Sequence, residues 1–171
     1  MRMVKNILLF IVAIYIGFIL FMPKQELYFK AEQILKKQGI IIDNEEIINS
    51  LTNFKLLHPV VYYQGVDVAR ASMLKATPLL LVNTLEAENV ELLNVAKKFI
   101  NVNINRLKAS HSVLKPYYIK LNIDANFGIA SGFINLKKRV IHIDIIEKKD
   151  INSIRKFLKK GEKGWYYESN F

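Results

Sequence analysis

Between Tyr117 and Ile145 apolar and polar residues alternate almost without a break. Tyr117, Ile119, Leu121, Ile123 and Ala125 take one parity, with Lys120, Asn122 and Asp124 between them. Phe127, Ile129 and Phe133 continue it, and Ile141, Ile143 and Ile145 close it around His142 and Asp144. A period of two is the mark of a half-buried β-strand. The short basic break from Leu136 to Arg139 predicts that the two halves fold back as an antiparallel hairpin. Read at constant parity, Ile119, Leu121, Ile123, Phe127, Ile129, Phe133, Ile141, Ile143 and Ile145 make one apolar sheet face. Gly128, Ala130 and Gly132 fall on the other face, where missing side chains permit close approach.

Upstream, short β-rich runs from Ile40 onward are punctuated by His58-Pro59, Gln64-Gly65 and Thr77-Pro78. They predict an antiparallel meander. Glu88 to Ile100 fits a helix and a strand equally well. Two amphipathic helices flank the strands. In residues 24–39, Leu27, Ala31, Ile34 and Leu35 form a stripe that ends at Lys36, Lys37 and Gly39. Near the other end, Asp150 caps a predicted helix with Ile151, Ile154, Phe157 and Leu158 on one face and Gly161 as its stop. The fold class expected is mainly β (α+β): a curved antiparallel sheet with short flanking helices behind a single N-terminal membrane helix.

That membrane helix is predicted from Ile7 to Met22, sixteen residues without a charge, bounded by Lys5 and by Pro23-Lys24. At 1.5 Å per residue it reaches about 24 Å, just enough, with its flanks, for a hydrocarbon core of about 30 Å. Ile7, Leu8, Leu9, Phe10, Ile11, Val12, Ile14, Ile16, Phe18, Ile19, Leu20 and Phe21 are its anchoring side chains. A cleaved signal peptide fits the same basic start and apolar run, but "FILFMPKQE" has no small-x-small site for a signal peptidase. Arg2 and Lys5 then keep the N-terminus cytoplasmic. The expected organisation is an anchor over 1–23, a juxtamembrane amphipathic helix over 24–39 and an exported, periplasmic β-rich domain over 40–171, on a single-pass inner-membrane protein.

Charge matters only through that placement. The 25 Lys+Arg against 15 Asp+Glu give +10, which would suit nucleic acid or anionic lipid equally. An exported domain meets no chromosomal DNA or cytosolic RNA, so no nucleic-acid partner is expected. The absence of cysteine removes disulfides, thiolate metal sites and cysteine nucleophiles.

Catalytic signals are sparse. His142-x-Asp144 sets an imidazole and a carboxylate on one strand face, close enough to share a proton or a metal, although an ordinary polar outer face explains the pair as well. Ser110-His111-Ser112 is a polar loop. Gly-rich phosphate loops, nucleophile elbows and paired carboxylates are all missing, so neither an enzyme nor a cofactor or metal is expected. Lys148, Lys149, Arg155, Lys156, Lys159, Lys160 and Lys163 surround the last apolar stripe, followed by Trp165, Tyr166 and Tyr167. Lys156, Lys159, Lys160, Trp165 and Tyr166 are therefore candidates for contact with a membrane surface or a partner, against the plainer reading of a helix packed on its own sheet.

"VVYYQGVDVARASMLKATPLLL", "FGIASGFINLKKRVIHIDI" and "FLKKGEKGWYY", behind an N-terminal anchor, resemble protein N of the type II (general) secretion pathway and the wider AsmA-like periplasmic proteins. The likeness spans about half the chain. It implies ribs laid side by side in a curved sheet with a greasy concave face, and it offers no catalytic set to carry over. The function expected is a non-enzymatic structural or docking component of an envelope machine, whether for secretion, a pilus or a flagellar motor, with other membrane or periplasmic subunits as partners. The alternative is lipid binding or transfer, with phospholipid held on the apolar face.

Overall fold

The computed structural model describes residues 2–43, 46–162 and 164–171. α1 (Arg2–Phe21) takes in the whole apolar run, and Met22-Pro23 separates it from α2 (Lys24–Lys37). Proline cannot supply the N–H the ladder needs next, which sets the break. Lys24 turns back and donates from Nζ to Ile19 O at 3.1 Å, a cation on the negative end of α1. No residue of α1 is buried, so it is no core helix, and it is long and apolar enough to cross a membrane.

α2 packs on the sheet through a different stripe from the one expected. Leu27, Ala31 and Ile34 are exposed, whereas Lys24 and Tyr28 are buried. The Tyr28 ring lies 5.1 Å from that of Phe54. An aromatic contact of this kind outweighs the aliphatic stripe, because a ring buries more apolar area per residue.

The strands form one open antiparallel sheet whose ribs follow chain order up to the last hairpin. β1 (Ile40–Asp43) and β2 (Glu46–Asn49) make the first rib, β3 (Phe54–Leu57) and β4 (Val60–Tyr63) the second, β5 (Val66–Arg70) and β6 (Met73–Pro78) the third. β7 (Val82–Leu92), β8 (Asn103–Ser112), β9 (Tyr118–Ala125), β10 (Gly128–Asn135) and β11 (Val140–Lys148) continue side by side. β12 (Lys159–Gly161) and β13 (Gly164–Asn170) close the sheet as a hairpin, with β13 paired to β11. The meander expected from the punctuation is thus present. The ambiguous stretch is both things in turn, strand to Leu92 and then a short α3 (Asn94–Phe99).

A crease crosses the early ribs at one level. His58 has φ 54° and Asn89 φ 50°, and β8 bulges between Ile104 and Arg106. Pro59, fully buried and without an N–H, interrupts the second rib there. The interruption is bridged by Ala71 N–H to Pro59 O at 3.0 Å and Ser72 N–H to Glu88 O at 2.9 Å. Bulges of this kind bend the strand that carries them.

Two further sequence expectations fail. The first is constant parity. β9 and β10 are joined through the two-residue turn Asn126-Phe127, and Ala125 faces Gly128 across it. Such a turn inverts parity, so Ile129 and Phe133 point to the face opposite Ile119, Leu121 and Ile123. Phe127, in the turn itself, is buried in the core. The second failure is the C-terminal helix. Residues 152–154 form a turn, Arg155–Phe157 a single 3-10 turn, and Lys159 already begins β12. The four residues between Asp150 and Arg155 are too few to nucleate a stable helix, whereas β12 gains ladder bonds to β13. Lys163 of the expected basic cluster lies outside the described residues.

Candidate functional surface

Strand register sorts the sheet into two faces of opposite character. One row of cross-strand partners reads Ile47, Leu56, Leu74, Ala87, Leu107, Ile123, Ala130, Ile145. The next row reads Phe54, Ala76, Leu85, Ala109, Leu121, Gly132, Ile143, Tyr167. A third contributes Ile119, Ile134 and Ile141. Of the nine residues expected on one apolar face, six strand residues, Ile119, Leu121, Ile123, Ile141, Ile143 and Ile145, share it.

This face is covered at two places. At the N-terminal ribs, α2 sets Tyr28 over Phe54 and Leu56, with Ile42, Ile47, Leu74 and Ala76 around them. At the other side, Ile151, Ile154 and Leu158 from the segment after β11 pack with Val102, Ala125, Phe127 and Ala130. Between the two covers Leu85, Leu107, Ile119, Leu121, Ile134 and Ile141 belong to neither cluster, and none is buried. Leu85 is 43% exposed. Beside the second cover an apolar cleft of about 400 Å³ opens between Val90, Leu92 and Ile104 on one wall and Ile145, Leu158 and Tyr167 on the other. That is the size and lining of a site for an apolar ligand of moderate length.

The opposite face is polar. Its rows run Lys55, Lys75, Glu86, Lys108, Asn122, Ser131, Asp144, Tyr166 and Lys120, Phe133, His142, Glu168. His142 does touch Asp144, Nε2 to Oδ1 at 3.2 Å, and it also meets a carboxylate that the sequence did not single out, Glu168 on the neighbouring strand, Nδ1 to Oε2 at 3.1 Å. Phe133 and Tyr166 stack on the imidazole at 5.6 and 5.3 Å. The hydrogen bond from His142, then the charge of Lys159, holds Glu168 below its ordinary value of 4.5. Among the described residues no three His, Asp or Glu converge as a metal site would require.

Glu86 is also depressed below 4.5, chiefly by its 2.7 Å bond from Lys108 Nζ. A carboxyl lowered on folding contributes stability that is complete above its unfolded value and lost as pH falls through the folded one. Stability should therefore decline below about pH 4.5, and Glu86→Gln should flatten part of that decline by lowering the stability at pH 7 slightly while leaving that at pH 3.5 nearly unchanged. Urea unfolding of the solubilised chain at pH 7 and pH 3.5 measures this; an unchanged difference between the two would contradict it.

The C-terminal candidates are dispersed. Trp165 packs among the apolar residues of the second cover, with Arg155 5.4 Å over its ring, while Tyr166 faces the polar side. Lys156 donates to Phe99 O at 3.1 Å, and Lys159 and Lys160 lie exposed on the outermost strand. No family model matches the sequence, and no characterised protein and no solved structure matches it either.

Proposed function

We propose that this protein is a non-enzymatic, single-pass protein of the bacterial inner membrane, N-terminus cytoplasmic, whose exported sheet holds the acyl chains of a phospholipid on its uncovered apolar face. The observation that carries the reading is the row of aliphatic side chains from Leu85 to Ile141 left half-exposed between two covers, with an apolar cleft beside it. Apolar surface open to water costs about 25 cal/mol per Å², so a face of this kind favours whatever apolar ligand is most concentrated nearby. For a chain that carries α1, that ligand is bilayer lipid. Gentle extraction followed by native mass spectrometry should find phospholipid on the full chain, and the double replacement of Leu107 and Leu121 by glutamine should lose it. Lipid-free wild-type protein, or a double variant that retains its lipid, would refute the reading. Alkaline phosphatase fused after Phe171 should be active only with an intact α1, since export is required for its activity.

A second reading has its own support. The outer edge of β1 and β2 pairs with no strand among the described residues, and such an edge suits the addition of a strand from another protein. With the resemblance to secretion-pathway protein N, this favours docking to other subunits of an envelope assembly. Reproducible co-purification from crosslinked membranes would support it, and isolation of the chain alone would count against it.

A further inference from the structure

The loops at one end of the sheet are unlike ordinary solvent loops. In a meander whose ribs follow chain order, Leu79–Leu81, Val113–Tyr117 and Leu136–Arg139 all fall at the same end, together with the turn that carries Leu51. Leu114 is 89% exposed, Leu51 71% and Leu81 56%. Leu80 even occupies the left-handed region, φ 62°, where leucine is strained. These loops contain no acidic residue, and their charges are four cations: Lys115, Lys137, Lys138 and Arg139.

α1 is attached at this same end. The start of α2 meets the first rib there, Asn49 donating to Gln25 Oε1 at 3.0 Å. Farther back on α1, Tyr15 donates from its hydroxyl to Leu79 O at 2.7 Å. Tyr15 precedes the last residue of α1 by six positions, about 9 Å of helix axis. The Leu79 loop therefore lies alongside α1, not beyond its end, within the 5–10 Å depth to which interfacial elements enter a bilayer.

The rim's backbone is paired in the way a water-poor surface demands. Leu81 N–H donates to Leu79 O, Val113 N–H to Leu81 O, Leu136 N–H to Tyr117 O and Phe171 N–H to Arg139 O, all at 2.7–3.0 Å. Asn135, buried, accepts from Lys138 N–H at 2.9 Å.

We propose that this end of the sheet sits in the head-group layer of the bilayer that α1 crosses, with its leucines below the head groups and its four cations on anionic lipid phosphates. The sheet then stands upright on the membrane. Lys156, bonded to Phe99 O, lies at the far end, about 30 Å off by the length of a ten-residue strand, whereas Lys159 and Lys160 stand about halfway up the sheet, level with Tyr166 and Trp165. The uncovered apolar face reaches down to the rim, which gives lipid a continuous apolar path onto it. Charge alone does not choose between the two ends, since both are basic; the attachment of α1 does.

The proposal rests on α1 lying in a bilayer, and one experiment separates the two. The chain lacks cysteine, so single nitrobenzoxadiazole labels can be placed by Phe10→Cys, Leu114→Cys and Lys156→Cys in the full protein, reconstituted into phosphatidylcholine–phosphatidylglycerol vesicles. Quenching by chain-labelled nitroxide lipid should be strong at position 10, strong at 114, and at least roughly fivefold weaker at 156, given the separation of the ends. Iodide should quench in the reverse order. A label at 10 that lipid does not reach would defeat the anchor. A label at 10 in lipid with 114 as open to iodide as 156, or with 156 as lipid-exposed as 114, would overturn the upright rim alone.

Discussion

Alanine at Gly132 or at Gly128 should destabilise the sheet by about 3 kcal/mol or more, enough to unfold much of the protein at 37 °C. The two positions fail for different reasons. Gly132 has an ordinary strand backbone, but an added Cβ would overlap His142 O and stand 2.7 Å from Ile143 Cα. Both atoms are main chain of β11, so no rotamer change relieves the contact, and β10 would have to move off its partner. Gly128 adds a backbone penalty: φ is 121°, outside what an L side chain adopts, and the added Cβ would overlap Glu147 O and lie 2.9 Å from its carbonyl carbon. Lys149 N–H, bonded to Phe127 O at 2.9 Å, fixes the opposing chain. Gly65 is the control, since its φ is 82° but nothing stands within 4 Å of the added atom. Gly65→Ala should cost about 1 kcal/mol from the left-handed backbone alone. Urea unfolding of the solubilised chain, read from Trp165, measures all three, because Trp165 packs in the cover that rests on this part of the sheet. A Gly132→Ala midpoint no lower than that of Gly65→Ala would refute the close approach of β10 and β11.

The same glycines show where local pattern stops being informative. Alternation identified β9, β10 and β11 as strands, and the basic break from Leu136 to Arg139 is the turn it was expected to be. Which face each residue takes depends on the number of residues in each turn, and a two-residue turn at Asn126-Phe127 leaves no trace in an apolar count because Phe127 continues the alternation through it. Ile129, 38% exposed, and Phe133 therefore lie on the polar side. The turn signal present was Asn126 followed, after Phe127, by Gly128. The rest of the apolar face was legible in kind, since Leu85 and Ala87 alternate with Glu86 and Glu88. What no local window contains is pairing between distant strands. Glu168 reaches His142 from 26 positions away, and Tyr28 is selected over the Leu27 stripe by the ring of Phe54. The failed C-terminal helix has the same origin: its stripe at Ile151, Ile154 and Leu158 is real and packs on the core, but a turn and a 3-10 segment place those side chains as well as a helix would.

Lysine at both Ile11 and Ile14 should detach the protein from the membrane while leaving the sheet folded. The twelve Ile, Leu, Phe and Val side chains from Ile7 to Phe21 contribute about 4–7 kcal/mol to insertion at best, at 0.3–0.6 each. Each central lysine costs about 2.5–3.5 kcal/mol and forfeits the isoleucine it replaces, so the pair removes about 6–8 kcal/mol and takes insertion to zero or beyond. None of this falls on the domain, because α1 contributes no buried residue to it. The double variant should keep the circular dichroism and the Trp165 emission of the wild type but leave the pellet on carbonate extraction, whereas alanine at the same two positions should stay in it. A double-lysine variant that resists carbonate would mean that α1 is not what holds the chain. Detachment also isolates the rim. With α1 gone from the bilayer, any remaining association with anionic vesicles falls to the leucine tips and the four cations beside them, and such electrostatic contacts weaken steeply as the Debye length shrinks to about 3 Å at 1 M salt. The variant should therefore bind phosphatidylglycerol vesicles weakly at low salt and release at high salt, and binding that ignores salt would show that the cations of the rim do not meet lipid phosphate.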